Sequence, residues 1–262
     1  MSKIRVLAFS LFALIALGSL ASAQTSVCDP WPLSDVALIF TGGGGVGSTS
    51  HFEYCVSHEG NIVHLETPNG FNHLIPGHLT EGYGICDVDS NTAYYDYADG
   101  GASSNWGPPS IVSTTPLVIV RTTSDAHWQL TQTFTVSAAD RSIKIKMELA
   151  NHDLQGTSRK VNLVRFADLD VNSSASNHFL VTPVSVVATS TSVASPGIQL
   201  RDAGKSASTP MLLRKPTIPD PCNPTVNSDA PFFTGDGAEE ILYVRTISLG
   251  GSKTATMLYR PF

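Results

Sequence analysis

The sequence predicts an all-β protein, a large antiparallel β-sandwich with very little helix. From Val36 onward, apolar residues recur at every second position in short runs, the pattern of strands with one buried face. Clusters of Gly, Pro, Asn, Asp and Ser separate these runs, and turns favour those residues. No stretch combines a sustained 3.6-residue apolar stripe with helix caps. About a dozen strands joined by turns are typical of a sandwich.

The strands are predicted where Val, Ile, Thr, Phe and Tyr concentrate between turn residues. The run 142–149 is the clearest, because its apolar residues alternate with Lys144, Lys146 and Glu148. The proline-rich segment 216–224 predicts a long surface loop before two final strands. The predicted strands are 36–40, 52–56, 62–66, 92–97, 117–122, 127–136, 142–149, 160–171, 184–191, 241–248 and 254–259.

Residues 1–23 predict a cleavable export signal. Lys3 and Arg5 precede an apolar run at 6–17 that only Ser10 interrupts, and a small-residue cleavage site follows at 21–23. The apolar run is shorter than the roughly 20 residues of a membrane-spanning helix, so no transmembrane segment is expected. We therefore expect a periplasmic or extracellular protein whose residues 24–262 form a single β-sandwich domain.

The charge balance argues against nucleic acid as a partner. The chain has 16 Lys and Arg against 22 Asp and Glu, a formal net charge of −6. Loss of Lys3 and Arg5 with the signal lowers this charge to −8. An acidic protein is repelled by phosphate backbones, so we expect no nucleic-acid partner.

Four cysteines follow the signal, and an even count in an exported chain predicts two disulfides. Among the three pairings, the sequence-based choice is Cys55 with Cys86 and Cys28 with Cys222. The second bond would tie the N-terminal arm to the proline-rich loop. No C-x-x-C occurs, which disfavours a zinc site.

Two segments share the pattern D-x-D-x-N at the end of an apolar run. Alternating oxygen ligands on a turn are what Ca²⁺ uses, so both segments are candidate calcium loops. Neither has the glycine and the twelfth-position acid of an EF-hand, and Asx-turns explain the same residues. The candidate ligands are Asp87, Asp89 and Asn91 in one loop, and Asp168, Asp170 and Asn172 in the other.

No other cofactor is expected. The run 42–47 satisfies G-x-G-x-x-G, but a strand and not a helix is predicted after it, so the helix N-terminus that would bind a pyrophosphate is missing.

Histidines and glutamates are interleaved between residues 51 and 81. A His and a Glu that face each other in a cleft can act as general acid and base. The catalytic candidates are His64, His78, Glu66 and Glu81. Scattered surface and turn histidines explain the same pattern.

Aromatic residues gather with Asp and Asn between residues 94 and 106. Rings cover the apolar faces of sugars and polar groups bind their hydroxyls, whereas alternate tyrosines are also ordinary core residues. The candidate ligand-binding residues are Tyr95, Tyr97, Asp99, Asn105, Trp106 and Trp128.

Four short segments resemble a loose group of uncharacterised secreted bacterial β-proteins. They are NIVHLETPNG at 61–70, EGYG at 81–84, RTTSD at 121–125 and RFAD at 165–168. That group is similar to the galactose-mutarotase-like supersandwich, which sugar epimerases share with carbohydrate-binding parts of polysaccharide enzymes. The resemblance implies a supersandwich of many antiparallel strands. Mutarotases use a Glu base and a His acid, which the resemblance does not map onto numbered residues here.

Three functions follow as hypotheses. The leading one is a non-enzymatic exported module that binds a glycan or a cell-surface partner. The second is a sugar-active enzyme, an epimerase or lyase, that uses a His and Glu pair. The third is a structural surface protein stabilised by disulfides and by calcium.

Overall fold

The computed structural model describes residues 28, 33–44, 48–68, 70–74, 81–98, 103–153, 158–174, 176–191, 197–204, 208–214, 220–224 and 231–262. The predicted signal at 1–23 lies outside these ranges, as do His78 and Asp99. None of the helical structure within them is long and apolar enough to span a membrane.

The described residues form eighteen strands, preceded by one short 3-10 helix at Leu33–Asp35. The strands are β1 (Val36–Gly42), β2 (Phe52–Ser57), β3 (Ile62–Glu66), β4 (Glu81–Asp87), β5 (Thr92–Tyr97), β6 (Ser103–Ser104), β7 (Ser110–Thr114), β8 (Leu117–Thr122), β9 (Trp128–Ser137), β10 (Ser142–Asn151), β11 (Arg159–Ala167), β12 (Asn177–Thr182), β13 (Ser185–Ser190), β14 (Ile198–Asp202), β15 (Thr209–Arg214), β16 (Phe232–Gly235), β17 (Gly237–Ile247) and β18 (Ser252–Pro261).

The strands build three antiparallel sheets, which confirms the predicted fold class. A three-stranded sheet has the order β1-β2-β3. A nine-stranded sheet has the order β16-β12-β13-β14-β18-β10-β9-β8-β7, and a six-stranded sheet has the order β15-β17-β11-β4-β5-β6. The order differs from chain order, so segments far apart in the sequence become neighbours.

The main core lies between the nine-stranded and six-stranded sheets, and the three-stranded sheet contributes to it. Strand β10 shows why the period-2 pattern is informative. Ile143 and Ile145 are fully buried, whereas Lys144 and Lys146 are exposed, as the alternation predicts. The single domain over 24–262 stays a prediction.

Strand β4 corrects the sequence analysis, whose predicted strands do not include residues 81–87. Positions 82 and 84 favour glycine, because neighbouring groups occupy the space that a side chain would fill. A Cβ on Gly82 would lie 2.5 Å from the Tyr97 ring, and one on Gly84 would lie 3.1 Å from Pro221. These glycines therefore mark close packing inside a strand.

Two further boundaries differ from the predictions. The predicted strand 160–171 ends at Ala167, because the chain turns through the acidic segment that follows. Three strands, not two, follow the proline-rich segment, since Phe232–Gly235 pairs with β12.

The structure has two disulfides, as predicted, but with a different pairing. Cys28 bonds to Cys55, and Cys86 bonds to Cys222. The predicted pairs Cys55–Cys86 and Cys28–Cys222 are therefore wrong, since Cys55 on β2 and Cys86 on β4 each bond to a cysteine outside the strands. The Cys86–Cys222 bond attaches the proline-rich segment to β4. On the neighbouring strand β11, Asn162 donates a hydrogen bond of 3.1 Å to the Pro221 carbonyl.

Candidate functional site

The six-stranded sheet has a second apolar face, turned away from the main core, which we call the outer face. Cross-strand pairing aligns five residues of this face in one row: Met211, Glu240, Phe166, Gly82 and Tyr97. Two separate apolar clusters flank Glu240, one formed by Tyr97, Phe166, Ala238 and Tyr95, the other by Val164, Met211 and Leu242.

Aromatic rings cover one end of the row. Tyr95 and Tyr97 stack with their ring centroids 5.5 Å apart, and Phe166 meets Tyr97 edge-on at 5.8 Å. Tyr97 and Phe166 are buried, whereas Tyr95 is partly exposed. Tyr95 and Tyr97 alternate on β5, so both predicted ligand-binding tyrosines lie on the outer face.

Glu240 places a carboxyl group among these apolar side chains. Its side chain is 1% exposed, and its Oε1 atom has no hydrogen-bond partner. Burial raises the pKa of Glu240 to about 8, because a charged carboxylate is costly in an apolar environment. A buried carboxyl group without a donor is uncommon and often marks a functional site.

Three further carboxylates lie near the end of β11 and the start of β17. Oxygen atoms of Asp168, Asp170 and Asp236 all lie within 4.8 Å of one another. Burial raises the pKa of Asp168 to about 8 and that of Asp170 to about 6, and the neighbouring carboxylates add to both shifts. A cation would relieve this repulsion, and hard cations such as Ca²⁺ prefer oxygen ligands.

Two predicted calcium ligands, Asp168 and Asp170, thus lie together. Asn172 occupies the same turn with a φ of 57°, a conformation that Asn tolerates better than most residues. Asp236, which sequence spacing could not link to them, is the third acid of the cluster.

The other predicted calcium loop uses its carboxylates within the protein. Asp87 forms an ion pair of 2.9 Å with Arg159 and caps the backbone of Asp89 and Ser90. Asp89 accepts a hydrogen bond from the Lys160 backbone, and Asn91 has a positive φ of 52° in the turn. These contacts match the Asx-turn interpretation of this loop.

His64 and Glu66, two catalytic candidates, lie side by side on the three-stranded sheet. The Nε2 atom of His64 is 3.7 Å from Glu66 and 3.7 Å from Glu53, and His64 is nearly buried. Neither ring nitrogen of His64 has a hydrogen-bond partner. Burial raises the pKa of Glu53, while His64 opposes that rise. His64, Glu53 and Glu66 thus form a cluster of side chains that can accept and donate a proton.

Glu81, the other described catalytic candidate, belongs to the core. It forms an ion pair with Arg165 and accepts hydrogen bonds from the Tyr259 hydroxyl and the Ile62 backbone. Arg165 also donates to Gln132, so the contacts join β4 and β11 to the nine-stranded sheet. The contacts of Glu81 are structural, so the structure does not bring it together with His64 and Glu66.

The remaining ligand-binding candidates lie away from the outer face. Trp128 is fully buried, and Trp106 packs edge-on against Tyr83 and Tyr94 in the main core. Asn105 donates a hydrogen bond of 2.7 Å to the Ala93 carbonyl. Trp106 and Trp128 thus face the interior and do not extend the tyrosine pair into a larger aromatic surface.

Sequence reasoning missed Glu240 and Phe166. A usable signal was present, because Glu239 and Glu240 are adjacent acids at the head of an apolar strand. Neighbouring strand residues point to opposite faces. Both glutamates are buried, Glu239 on the core face, so each face of this sheet holds an acid that water does not reach.

No family model matches the sequence, and no curated protein is similar to it. Solved structures are similar in fold. A bacterial glucoamylase in complex with acarbose aligns at 10% identity with a TM-score of 0.56, over 85% of this chain. This chain spans about a third, 31%, of the glucoamylase. At this identity the similarity shows a shared fold alone.

Two other neighbours align less closely. A protein of Escherichia coli K12, provisionally assigned as an aldose 1-epimerase, has 12% identity and a TM-score of 0.48, over 86% of this chain and 99% of its own. The heparan sulfate lyase HepC of Pedobacter heparinus has 8% identity and a TM-score of 0.48, over 87% of this chain and 36% of its own.

Proposed function

We propose that this protein is an exported carbohydrate-binding module whose ligand contacts the six-stranded sheet at Tyr95, the partly exposed ring of the outer face. The observation that carries the proposal is the stacked pair of Tyr95 and Tyr97, of which Tyr95 is partly exposed, on the sheet whose strands β11 and β17 have the acidic cluster at their ends. Sugars present apolar C–H faces that pack on aromatic rings, and hydroxyl groups that donate hydrogen bonds to carboxylates. This combination suits a carbohydrate better than it suits an apolar ligand.

Two further points support this choice. The net charge of −6 disfavours nucleic acid, as the sequence already indicated. The glucoamylase that shares the fold was solved with acarbose, which makes carbohydrate the first ligand class to test.

A glycan array followed by calorimetric titration tests the proposal. We expect a bound oligosaccharide whose affinity falls about five- to thirtyfold in Tyr95→Ala, since stacking on one ring contributes about 1–2 kcal/mol. Ile111→Ala is the control, because Ile111 is an exposed apolar residue on β7, in a different sheet. Absence of any glycan binding, or equal loss in both variants, would contradict the proposal.

A sugar-active enzyme is the alternative, and the position of His64 between Glu53 and Glu66 favours it. In this version His64 transfers a proton and a glutamate stabilises its charged form. Polarimetry on fresh glucose and galactose, together with a lyase assay on polysaccharides, tests it. An activity that His64→Gln abolishes would support the enzyme, and no rate above buffer would rule out these reactions.

A further inference from the structure

The solvent-facing side of the nine-stranded sheet carries exposed cations that the proposed site at Tyr95 does not use. We infer that this side is a second binding surface, which holds the carboxylate or sulfate groups of an acidic polysaccharide between Lys144, Arg201 and Arg260. These three residues are called the basic patch below. The inference is independent of ligand binding at Tyr95, which lies on β5 in the six-stranded sheet.

Charge is distributed unevenly between this sheet and the rest of the chain. The whole chain has 16 Lys and Arg against 22 Asp and Glu, whereas the nine strands of this sheet have six Lys and Arg and two acids. Of the two acids, Asp202 is buried and Glu148 forms an ion pair of 3.0 Å with Lys146. One of the six cations, Arg121, is buried against Asp96. The exposed side of the sheet therefore keeps an excess of positive charge in an acidic protein, and this excess attracts anions locally.

Strand pairing gathers the basic patch around one residue of β18. Leu258 pairs with Lys144 of β10 on one side and with Arg201 of β14 on the other. Neighbouring strands are about 4.8 Å apart, so the Cα atoms of Lys144 and Arg201 are about 10 Å apart. Arg260 follows Leu258 by two positions, and residues two apart point to the same side of a strand. Three cations therefore surround Leu258 on one side of the sheet.

A ligand can reach the basic patch from solvent. Lys144, Arg201 and Arg260 are exposed and Leu258 is partly exposed, whereas Tyr259 between the last two is buried. Among the residues that the structure describes, no acid forms an ion pair with Lys144 or Arg201. The ammonium group of Lys144 and the guanidinium group of Arg201 are therefore available to an anion.

A cavity of about 400 Å³ opens beside Lys144 and Leu258. The hydroxyl side chain of Ser142 and the carboxylate of Asp140 also line it. Asp140 accepts a hydrogen bond of 2.8 Å from Ser142 and lies 4.0 Å from Arg260, so these two groups offset part of its negative charge. The cavity therefore offers a ligand a cation, hydroxyl groups and an apolar side chain together.

The groups around the basic patch suit an acidic sugar better than a nucleic acid. Thr135 pairs with Lys144, and Thr133 and Thr256 continue the same partly exposed side of the sheet. Their hydroxyl groups can bind sugar hydroxyls, Leu258 can pack on sugar C–H groups, and the cations can bind carboxylate or sulfate. Duplex nucleic acid carries one charge per about 1.7 Å, and the acidic remainder of this chain repels such a dense polyanion. An acidic polysaccharide has a lower charge density and presents sugar hydroxyls as well.

The test compares oligomers of equal length that differ in charge. The full chain is titrated calorimetrically with oligomers of galacturonic acid, of sulfated glucose and of neutral glucose, and with a single-stranded oligodeoxynucleotide as a general polyanion. We expect at least one acidic oligosaccharide to bind at least about tenfold more tightly than the neutral one and than the oligonucleotide. Its affinity should fall as the salt concentration rises, because salt screens exposed charges. The two acidic oligomers distinguish carboxylate from sulfate as the preferred group.

The double variant Lys144→Ala/Arg201→Ala should lower the affinity for the acidic oligomer at least about tenfold, because it removes two of the three charges that contact the ligand. Lys160→Ala/Lys253→Ala is the matched control. It also removes two exposed cations, one from the six-stranded sheet and one from a position of β18 that alternates with the Arg260 side. This control should keep the affinity within about twofold, since separated surface charges are screened. Lys144→Arg/Arg201→Lys keeps both charges and should keep most of the affinity.

The outcomes separate this inference from the proposed function. Equal affinity for acidic and neutral oligomers, or for acidic oligomers and the oligonucleotide, would overturn the inference, as would binding of no acidic oligomer. Equal losses in the two double alanine variants would also overturn it, because the attraction would then be general. Tyr95→Ala should keep the affinity for the acidic oligomer. A loss in Tyr95→Ala with none in Lys144→Ala/Arg201→Ala would place the ligand at Tyr95, which supports the proposed function and overturns the inference.

Circular dichroism checks that each variant is folded. If Lys144→Ala/Arg201→Ala does not fold, Arg260→Ala replaces it, since Arg260 is the third residue of the basic patch and its side chain is exposed. Arg260→Ala should weaken binding of the acidic oligomer at least about threefold, because it removes one charged contact. An unchanged affinity in a folded Arg260→Ala would then overturn the inference.

Discussion

Arg165 and Glu81 form an ion pair that is completely buried between the sheets, with no solvent exposure of either side chain. Arg165 lies on β11 and Glu81 on β4, two neighbouring strands of the six-stranded sheet. Through Gln132 and Tyr259 the pair also contacts the nine-stranded sheet. Such a pair is sensitive to the loss of one partner, because the remaining charge is left in the core.

We therefore expect Glu81→Gln to lower the free energy of unfolding by about 3–5 kcal/mol, because Arg165 loses its countercharge. Urea denaturation followed by circular dichroism measures the change. Glu148→Gln is the control, since its exposed pair with Lys146 should contribute less than about 1 kcal/mol. Similar small losses in both variants would show that the buried pair is unimportant for stability.

The two disulfides should differ in their contribution to stability. Cys86 and Cys222 close a loop with a sequence separation of 136, against 27 for Cys28 and Cys55. In the chain-entropy view the longer loop stabilises by about 1.5 kcal/mol more, since it restricts the unfolded chain more strongly. The double variants Cys86→Ser/Cys222→Ser and Cys28→Ser/Cys55→Ser are compared by urea denaturation. The reverse order would contradict the expectation, and peptide mapping without reduction checks the pairing.

Glu240 should make stability depend on pH. Its pKa is raised to about 8 by burial, so the folded protein keeps a proton that the unfolded chain loses near pH 4.5. Stability from this group is therefore present at low pH and is lost as the pH rises from about 4.5 to about 8. Glu240→Gln should match the parent at pH 4 and be more stable by about 2 kcal/mol or more at pH 9. Parallel stability–pH curves for the two proteins would refute the assignment.

Calcium should raise the melting temperature if the acidic cluster binds it. A ligand that binds only the folded state stabilises it, by about 2.7 kcal/mol at a hundredfold excess over Kd. Asp168→Asn should remove the effect of added Ca²⁺, whereas Asp89→Asn in the other Asp loop should keep it. Differential scanning fluorimetry with CaCl₂ and with EDTA measures this. The same melting temperature in both solutions would exclude calcium at Asp168, Asp170 and Asp236.

Much of the fold is predictable because strand patterns are local. Alternation within residues 142–149 correctly predicts which side chains of β10 are buried. The same logic failed at β4, where Gly82 and Gly84 resemble turn residues although they pack under Tyr97 and Pro221. Glycine is favoured both in turns and at close approaches inside strands, and only the neighbours distinguish the two cases.

The sequence alone determined the all-β class, most strands, the presence of two disulfides and the placement of Tyr95 and Tyr97 on one face of a strand. The tertiary structure decided which cysteines pair, and it brought Tyr97, Phe166 and Glu240 together. These three residues belong to β5, β11 and β17, which become near neighbours only through the strand order β17-β11-β4-β5. Side-chain alternation is a property of a few consecutive residues, whereas strand order depends on which faces bury one another across the whole chain.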